Sequence, residues 1–216
     1  MSEVKQQIES LGLLPVLRAD SVKQALALVE ALYAGGIYII EVTMTVPGAI
    51  DVLKQLKANY GSKLLLGSGT VTTAAQAQAT IEAGAEFVLS PSLHLDVIAK
   101  TKKLGKVSVP GALTPTEVIT AWNAGADYVK VFPCSAVGGA PYLKGLRAPF
   151  PFLKLIPTGG VNQKTAPDFI KAGAKALGVG ADLVNPQAII DGKPEIITAN
   201  AKAYLEIIKA TRAAAL

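Results

Sequence analysis

The clearest unit of a repeating pattern in this chain reads Ala124-Gly125-Ala126-Asp127-Tyr128-Val129-Lys130-Val131-Phe132-Pro133. A glycine just past a helix commonly takes the left-handed conformation that ends it, and an aliphatic run directly afterwards is typical of a strand. The same Ala-Gly mark, followed at once by an aliphatic run, recurs at Ala34, Ala83 and Ala172. The chain therefore repeats a helix–strand module.

The marks divide the chain into eight expected strands that alternate with helices. The strands are expected near 13–18, 37–43, 63–69, 86–90, 106–110, 127–132, 153–157 and 175–179. Helices are expected near 21–34, 47–59, 73–83, 93–104, 115–124, 140–147 and 164–172, with a short leading helix before residue 13 and a terminal helical region after residue 195.

Eight nearly continuous aliphatic strands, each followed by a helix, favour a closed parallel sheet covered by helices. We therefore predict an α/β protein, a (β/α)8 TIM barrel with a short N-terminal helix, and one domain over residues 1–216. The alternative is an open doubly wound sheet. Its dinucleotide-binding version would use Gly67-Ser68-Gly69, which lacks the third glycine of that motif.

Composition narrows the class of protein. Half of the 216 residues are hydrophobic, enough for one large core. No apolar run is clean enough to span a bilayer, and no secretory signal opens the chain, so we expect a cytoplasmic protein without a membrane partner. A lone cysteine, Cys134, and a lone histidine, His94, exclude an intrachain disulfide and disfavour a metal site, and we expect no cofactor.

The formal net charge of +5 does not indicate a nucleic-acid partner. The basic residues are spread along the chain, and the one local cluster is Lys100, Lys102, Lys103 and Lys106. This cluster ends a predicted helix, where cations complement the helix dipole. We interpret it as a solvated helix end.

Lys130 interrupts an otherwise apolar segment that we predict to be a buried strand. Burying an ammonium group is costly, and a buried lysine is often neutral, which leaves a free amine able to attack a carbonyl carbon. Lys130 is therefore a candidate Schiff-base nucleophile. The alternative is a lysine that reaches the strand's end and meets a carboxylate.

Polar residues near the C-terminal ends of other strands bear on this choice, because that end of a barrel carries the active site. Arg18 ends the first strand, Glu41 and Thr43 lie near the end of the second, and Thr70 follows the third. A structural ion pair between Glu41 and Lys130 would not need an arginine and a threonine beside it. A keto acid would need them, because an arginine or a hydroxyl group binds its carboxylate, a lysine reacts with its ketone and a glutamate transfers the proton.

Two glycine-rich segments follow the predicted seventh and eighth strands. They read Pro157-Thr158-Gly159-Gly160-Val161-Asn162 and Gly178-Val179-Gly180. Loops in these positions commonly bind phosphate through exposed main-chain N–H groups, so we expect a phosphate or another anion here. The alternative is that the glycines serve only tight turns.

From about Leu14 to Val184 the chain resembles the 2-keto-3-deoxy-6-phosphogluconate (KDPG) and 4-hydroxy-2-ketoglutarate (KHG) aldolases. The resemblance rests on motifs that occur in the family's order. They are Pro15-Val-Leu-Arg18, Ile40-Glu-Val-Thr43, Gly67-Ser-Gly-Thr-Val71, Ser90-Pro91, Val109-Pro-Gly111, Lys130-Val-Phe-Pro133 and Pro157-Thr-Gly-Gly160.

The resemblance implies a class I aldolase that acts on a small keto acid. Lys130 would form the Schiff base with pyruvate, and Glu41 would move protons through water. Family members are typically trimers, which implies a homotrimer. The implied substrate-binding residues are Arg18 and Thr70 for the pyruvate carboxylate, Pro91 and Phe132 against the pyruvyl group, Thr158 at the new carbinol, and Gly159 and Gly160 at the distal anion.

The chain departs from the family pattern in two places. Many members carry an arginine where this chain has Thr45, which gives Arg18 a larger share of carboxylate binding. The loop after the eighth strand often reads Gly-Ser, whereas this chain reads Gly180-Ala181-Asp182, so a hydroxyl donor is lost and a negative charge is gained. Asp182 either faces the pocket or caps the following segment.

Two other functions remain open from the sequence. One is a lyase that is metal-dependent or decarboxylates oxaloacetate in the same pyruvate pocket. The other is a non-catalytic barrel that binds sugar phosphates or serves as an oligomeric scaffold.

Overall fold

A computed structural model describes residues 2–214 of the protein. Helices and strands alternate along this part of the chain. The strands are β1 (Leu13–Leu17), β2 (Ile39–Thr43), β3 (Leu65–Gly69), β4 (Phe87–Leu89), β5 (Val107–Val109), β6 (Gly111–Ala112), β7 (Val129–Val131), β8 (Leu155–Pro157) and β9 (Leu177–Val179). The α-helices are α1 (Glu3–Leu11), α2 (Val22–Ala34), α3 (Ala49–Tyr60), α4 (Ala74–Glu82), α5 (Leu95–Lys103), α6 (Pro115–Asn123), α7 (Ala140–Arg147), α8 (Ala166–Lys171), α9 (Pro186–Ile190) and α10 (Glu195–Ala213).

The strands pair in parallel and form two sheets. The larger sheet has the order β5-β4-β3-β2-β1-β9, and the smaller has the order β6-β7-β8. Strands β1 to β5 are neighbours in chain order, without the reversal of winding that a doubly wound sheet requires. The predicted α/β class with parallel strands is confirmed, and the doubly wound alternative is wrong.

The strands do not pair into the single eight-stranded barrel that the sequence predicts, because they form a six-stranded sheet and a three-stranded sheet. The expected strand 106–110 forms β5, and Pro110, which has no N–H to donate to a ladder, separates β5 from the additional short strand β6 of the other sheet. Main-chain bonds nevertheless cross both seams between the sheets. Asp127 N–H donates to the Ser108 carbonyl at 2.9 Å on one side, and a parallel bridge joins Thr158 to Gly178 on the other.

The Ala-Gly marks end helices as predicted. Gly36, Gly84, Gly125 and Gly173 follow α2, α4, α6 and α8 with φ of 90°, 114°, 93° and 91°, a conformation that glycine adopts most readily. The leading helix α1 and the terminal helix α10 are also present. The short helix α9 was not predicted, although Asn185 caps it through a bond to Gln187 N–H and Pro186 occupies its first turn.

Helix α1 is tied to the start of β7 by polar contacts. The Tyr128 hydroxyl donates to the Glu9 carboxylate at 2.8 Å, and Lys154 donates to the same oxygen at 2.8 Å. Asp127 accepts from Lys5 at 3.1 Å and from Lys102 at 2.6 Å. These contacts anchor the N-terminal end of the strand that carries Lys130.

The lysine cluster lies at the end of α5, where the sequence places it. Lys102 pairs with Asp127, Lys106 with Glu86 at 2.7 Å, and Lys100 donates to Gln78 at 3.1 Å. Within residues 2–214, no helix combines the length and the apolar character needed to cross a membrane. In the same residues, no cluster of three or more His, Cys, Asp or Glu side chains is arranged to hold a metal ion.

Candidate active site

Lys130 and Glu41 come from different sheets and meet inside the protein. Lys130 is the central residue of β7, and Glu41 is the central residue of β2. The Lys130 amine nitrogen, Nζ, lies 3.7 Å from Oε1 of Glu41, and the two side chains are 6% and 1% exposed. This distance allows an ion pair but is too long for a hydrogen bond.

The carboxyl group of Glu41 has an unusual environment. Neither of its oxygens has a hydrogen-bond partner within residues 2–214. Burial raises the pKa of Glu41, although the positive charges of Lys130 and Arg18 oppose the rise. Glu41 can therefore hold a proton to a higher pH than an ordinary glutamate, which suits a group that both accepts and returns a proton.

The glycines of Gly67-Ser68-Gly69 make room for side chains. A Cβ on Gly69 would lie 1.9 Å from Glu41 Oε1, and a Cβ on Gly67 would lie 2.1 Å from the Phe87 ring. Only a residue without a side chain fits at either place. That Gly69 leaves space for the Glu41 carboxyl group was not predicted from the sequence. A glycine in the strand after the one that carries Glu41 could have indicated that another group approaches its main chain closely.

Phe132 links Lys130 to an open cavity. The Lys130 Nζ lies 5.3 Å from the centre of the Phe132 ring, within the range of a cation–π contact. Phe132 also lines a cavity of about 340 Å³ at the C-terminal ends of the strands. The cavity is lined by Val16, Arg18, Phe132, Thr158, Gly159, Gly160, Val161, Asn162, Gly178, Gly180, Ala181 and Asp182.

The cavity brings together most of the substrate-binding residues expected from the sequence. Arg18 reaches it from the end of β1, Thr158 with Gly159 and Gly160 from the loop after β8, and Gly180 with Ala181 from the loop after β9. The amides of Gly159 and Gly160 make no hydrogen bond to other residues of the described chain, so they are available to an anion. The hydroxyl oxygen of Thr158 is buried and likewise unpaired within residues 2–214.

Three expected substrate-binding residues lie outside the lining of this cavity. Thr70 directly follows β3 and has a φ of 59°, which is uncommon for a residue other than glycine, and Pro91 follows β4. The Thr43 hydroxyl donates to the Leu17 carbonyl at 2.9 Å and lies 2.8 Å from the Thr45 hydroxyl. Thr43 therefore links β2 to β1 through its hydroxyl. That hydroxyl is bonded to the main chain of β1 and does not line the cavity.

Asp182 does not cap the segment that follows it, so that interpretation is wrong. The cap of α9 is Asn185, and the Asp182 carboxylate instead accepts a hydrogen bond from the Tyr204 hydroxyl while lining the cavity. Tyr204 was not identified from the sequence. Tyr204 is the polar-tipped member of the buried stripe Ile197, Ala201, Tyr204 and Ile208 on α10, and that position is a signal that could have found it.

Comparisons with known proteins agree with the geometry. Residues 4–200 match the family described as KDPG and KHG aldolase. The chain is 32% identical over 200 residues to the 2-dehydro-3-deoxy-6-phosphogalactonate aldolase of Escherichia coli strain K12, covering 92% of this chain and 97% of that protein. It is 31% identical over 209 residues to the 2-dehydro-3-deoxy-phosphogluconate aldolase of Treponema pallidum strain Nichols, covering 96% and 99%.

A solved structure gives the same result. The KDPG aldolase from Legionella pneumophila, crystallised with pyruvate captured as a covalent carbinolamine intermediate, superposes with a TM-score of 0.87. Its sequence is 31% identical, and the match covers 94% of this chain and 98% of that one. The protein described here therefore belongs to the KDPG and KHG aldolase family.

Proposed function

We propose that the protein is a class I aldolase, a lyase that cleaves KDPG to pyruvate and glyceraldehyde 3-phosphate. The proposed activity extends to KHG, which would give pyruvate and glyoxylate. The observation that carries the proposal is the buried Lys130 amine 3.7 Å from the Glu41 carboxyl group, beside a cavity of substrate size. The family match over residues 4–200 supports it.

The proposed reaction begins at Lys130. Its amine attacks the C2 ketone of the substrate, and loss of water gives an iminium ion that withdraws electrons from the C3–C4 bond. A base takes the proton of the C4 hydroxyl, the C3–C4 bond breaks, and the aldehyde leaves. The remaining enamine gains a proton at C3, and water then releases pyruvate from Lys130.

Glu41 is proposed to carry the protons, directly or through a water molecule. Its raised pKa lets one group act first as a base and then as an acid. Its burial beside Lys130 also excludes bulk solvent, which strengthens the electrostatic interactions among the reacting groups. Gly69 supports this role because it leaves the space that the carboxyl group occupies.

The remaining residues are proposed to bind the substrate. Thr70 and Arg18 would hold the pyruvate carboxylate, and Pro91 and Phe132 would pack against the pyruvyl group. Thr158 would act at the C4 hydroxyl, and its buried, unpaired hydroxyl supports this position. The distal anion would bind at Gly159, Gly160, Gly180 and Ala181, and Thr43 would support the site from β2.

The finer points of architecture and assembly are also proposals. A closed (β/α)8 barrel is supported by the main-chain bonds across both seams, and a single domain over residues 1–216 by the hydrophobic cluster that extends from Ile8 to Ile208. A homotrimer follows from the family resemblance alone. The cytoplasmic location stays a prediction from the sequence.

Borohydride trapping with pyruvate tests the proposed chemistry. Reduction of the iminium should fix a pyruvate-derived adduct on Lys130 of the wild-type protein, located by peptide mass spectrometry. Lys130→Arg should lose both the adduct and turnover, because a guanidinium stays protonated and cannot attack. Lys154→Arg is the matched control, since Lys154 lies next to β8 and bonds to Glu9.

Three results of this experiment would contradict the proposal. They are the absence of any adduct, an adduct on another lysine, and undiminished turnover by Lys130→Arg. Assays with KDPG, KHG and oxaloacetate then separate aldol cleavage from decarboxylation, because only decarboxylation releases carbon dioxide.

A further inference from the structure

Asp182 follows Ala181 in the lining of the cavity, and the rest of the fold holds its carboxylate in place. Asp182 lines the cavity and accepts a hydrogen bond at Oδ2 from the Tyr204 hydroxyl. Asp182 itself is exposed, whereas Tyr204 has no exposed surface. The carboxylate is therefore anchored from inside the protein, on a residue that lines the cavity.

Tyr204 is well suited to this anchoring. It projects from the buried face of α10, where Ala201 and Ile208 flank it in the core. Burial, the hydrogen bond to Asp182 and the charge of Asp182 all raise the pKa of Tyr204, so its phenol stays protonated and donates. A carboxylate has about four acceptor positions on its two oxygens, so the bond from Tyr204 leaves Asp182 able to accept others.

The charges around the cavity are arranged unevenly. Arg18 is the one cation and Asp182 the one acid among its lining residues in the described part of the chain. Another cation, Lys164, lines a neighbouring polar pocket together with Asp182 and Asn162. Ala181 adds no hydroxyl donor, so a distal group in the cavity would have the main-chain amides of Gly159 and Gly160 and the negative charge of Asp182 as its polar neighbours.

These residues would interact differently with a distal phosphate and with a distal hydroxyl group. A phosphate dianion gains hydrogen bonds from the glycine amides but is repelled by Asp182. A terminal hydroxyl can donate to the same carboxylate, and a hydrogen bond to a charged acceptor is stronger than one between neutral groups. Asp182 thus favours a substrate with a terminal hydroxyl, whereas the amides of Gly159 and Gly160 favour one with a phosphate.

Building on the proposed aldolase function, we propose that Asp182, held by Tyr204, is a specificity-determining residue that extends the activity to unphosphorylated 2-keto-3-deoxy sugar acids. The terminal hydroxyl of such a substrate donates to Asp182. The reaction is the same cleavage: the C3–C4 bond breaks, the C4 hydroxyl loses its proton to become an aldehyde, and C3 gains a proton. The products are pyruvate and glyceraldehyde.

The test compares kcat/KM for 2-keto-3-deoxygluconate with kcat/KM for its 6-phosphate. The wild-type protein should cleave both. Asp182→Asn should move the ratio of the two constants toward the phosphate by roughly three- to tenfold, the size expected from removing one screened charge near a surface. Tyr204→Phe should move it in the same direction by less, because the carboxylate remains but is no longer held.

Asp168→Asn is the matched control. It removes the same charge from an exposed position on α8 that does not line the cavity, so the ratio should stay at the wild-type value. A wild-type protein that does not cleave the unphosphorylated acid would overturn the inference. So would an Asp182→Asn ratio that matches the wild type.

Failure of this inference can be told apart from failure of the proposed function. If borohydride and pyruvate still label Lys130 while the ratio does not respond to Asp182, the aldolase chemistry stands and the role of Asp182 is wrong. If Lys130 is not labelled, the proposed function itself is wrong.

Discussion

The Lys130 amine lies 3.7 Å from Oε1 of Glu41, and no group within residues 2–214 donates a hydrogen bond to either oxygen of that carboxyl. A buried ion pair held only for stability usually has its remaining acceptors satisfied. Glu41 is instead buried with its oxygens unpaired in the described chain. This is the arrangement of a group kept ready for a reacting substrate, and it favours catalysis over a structural salt bridge.

Replacing Glu41 with glutamine should separate proton transfer from pyruvate capture. The amide keeps the shape of the side chain but cannot accept and return a proton. We expect kcat for KDPG cleavage to fall by about 10²–10⁴-fold, the usual contribution of general acid–base catalysis. Borohydride trapping of pyruvate on Lys130 should persist. An unchanged kcat would make Glu41 a structural partner of Lys130.

The same substitution should change how stability depends on pH. Burial raises the pKa of Glu41 in the folded protein above its ordinary value of 4.5. The folded state therefore binds the proton more tightly than the unfolded state, and the associated stability is full below pH 4.5 and is lost as the pH rises through the folded pKa. From acid toward neutral pH, the wild type should lose unfolding free energy relative to Glu41→Gln.

Urea unfolding at several pH values measures this difference. Glu41→Gln cannot titrate at this position, so it provides the reference curve, and any constant offset between the proteins does not affect the slope. A difference in unfolding free energy that is independent of pH, or that changes in the opposite direction, would contradict the raised pKa.

Gly69→Ala tests whether the glycine after Ser68 exists to seat the carboxyl group. The added Cβ would lie 1.9 Å from Glu41 Oε1, so Glu41 must move. We expect kcat to fall by on the order of 10²-fold, because displacement of a catalytic group by about 1 Å has an effect of that size. Gly145→Ala is the control, since nothing lies within 4 Å of a Cβ at that position.

The far-ultraviolet circular dichroism of both glycine variants should match that of the wild type. Gly69→Ala with full activity would mean that Glu41 has freedom to move without loss of function. Equal losses in the two variants would point to a general effect of alanine rather than to Glu41.

Much of the fold was predictable because local patterns agree with the tertiary structure. The Ala-Gly marks locate helix ends, and a lone lysine in an apolar strand makes Lys130 a candidate, which polar residues at the ends of other strands then favour. Glu41 followed from its place near the C-terminal end of a predicted strand. Such features are encoded within a few neighbouring residues, and a sequence displays them directly.

Features that depend on distant partners were not predictable in the same way. The anchoring of Asp182 by Tyr204 joins residues 22 positions apart, and the direction of a side chain in a loop has no periodic signal. A break in pairing at Pro110 could have been predicted, because proline cannot donate to a ladder. The sequence does not indicate with which strands β5 and β6 pair. The inward bond of Thr43 to the Leu17 carbonyl depends on the register of two strands and was likewise hidden.

Ala181→Ser tests phosphate binding at the distal end of the cavity by adding a hydrogen-bond donor, whereas Asp182→Asn tests it by removing a negative charge. Ala181 lines the cavity beside Gly180, where many family members place a serine, and its methyl group offers nothing to a phosphate. A serine hydroxyl there should donate to the distal phosphate, and one hydrogen bond contributes on the order of 1 kcal/mol. We therefore expect kcat/KM for KDPG to rise by roughly fivefold, with little change for KHG, whose distal end is shorter and unphosphorylated. Ala99→Ser, at an exposed position on α5, is the control and should leave both constants unchanged. Equal rises for both substrates would show that the hydroxyl acts on the part they share, and no rise for either would leave phosphate binding to the Gly159 and Gly160 amides.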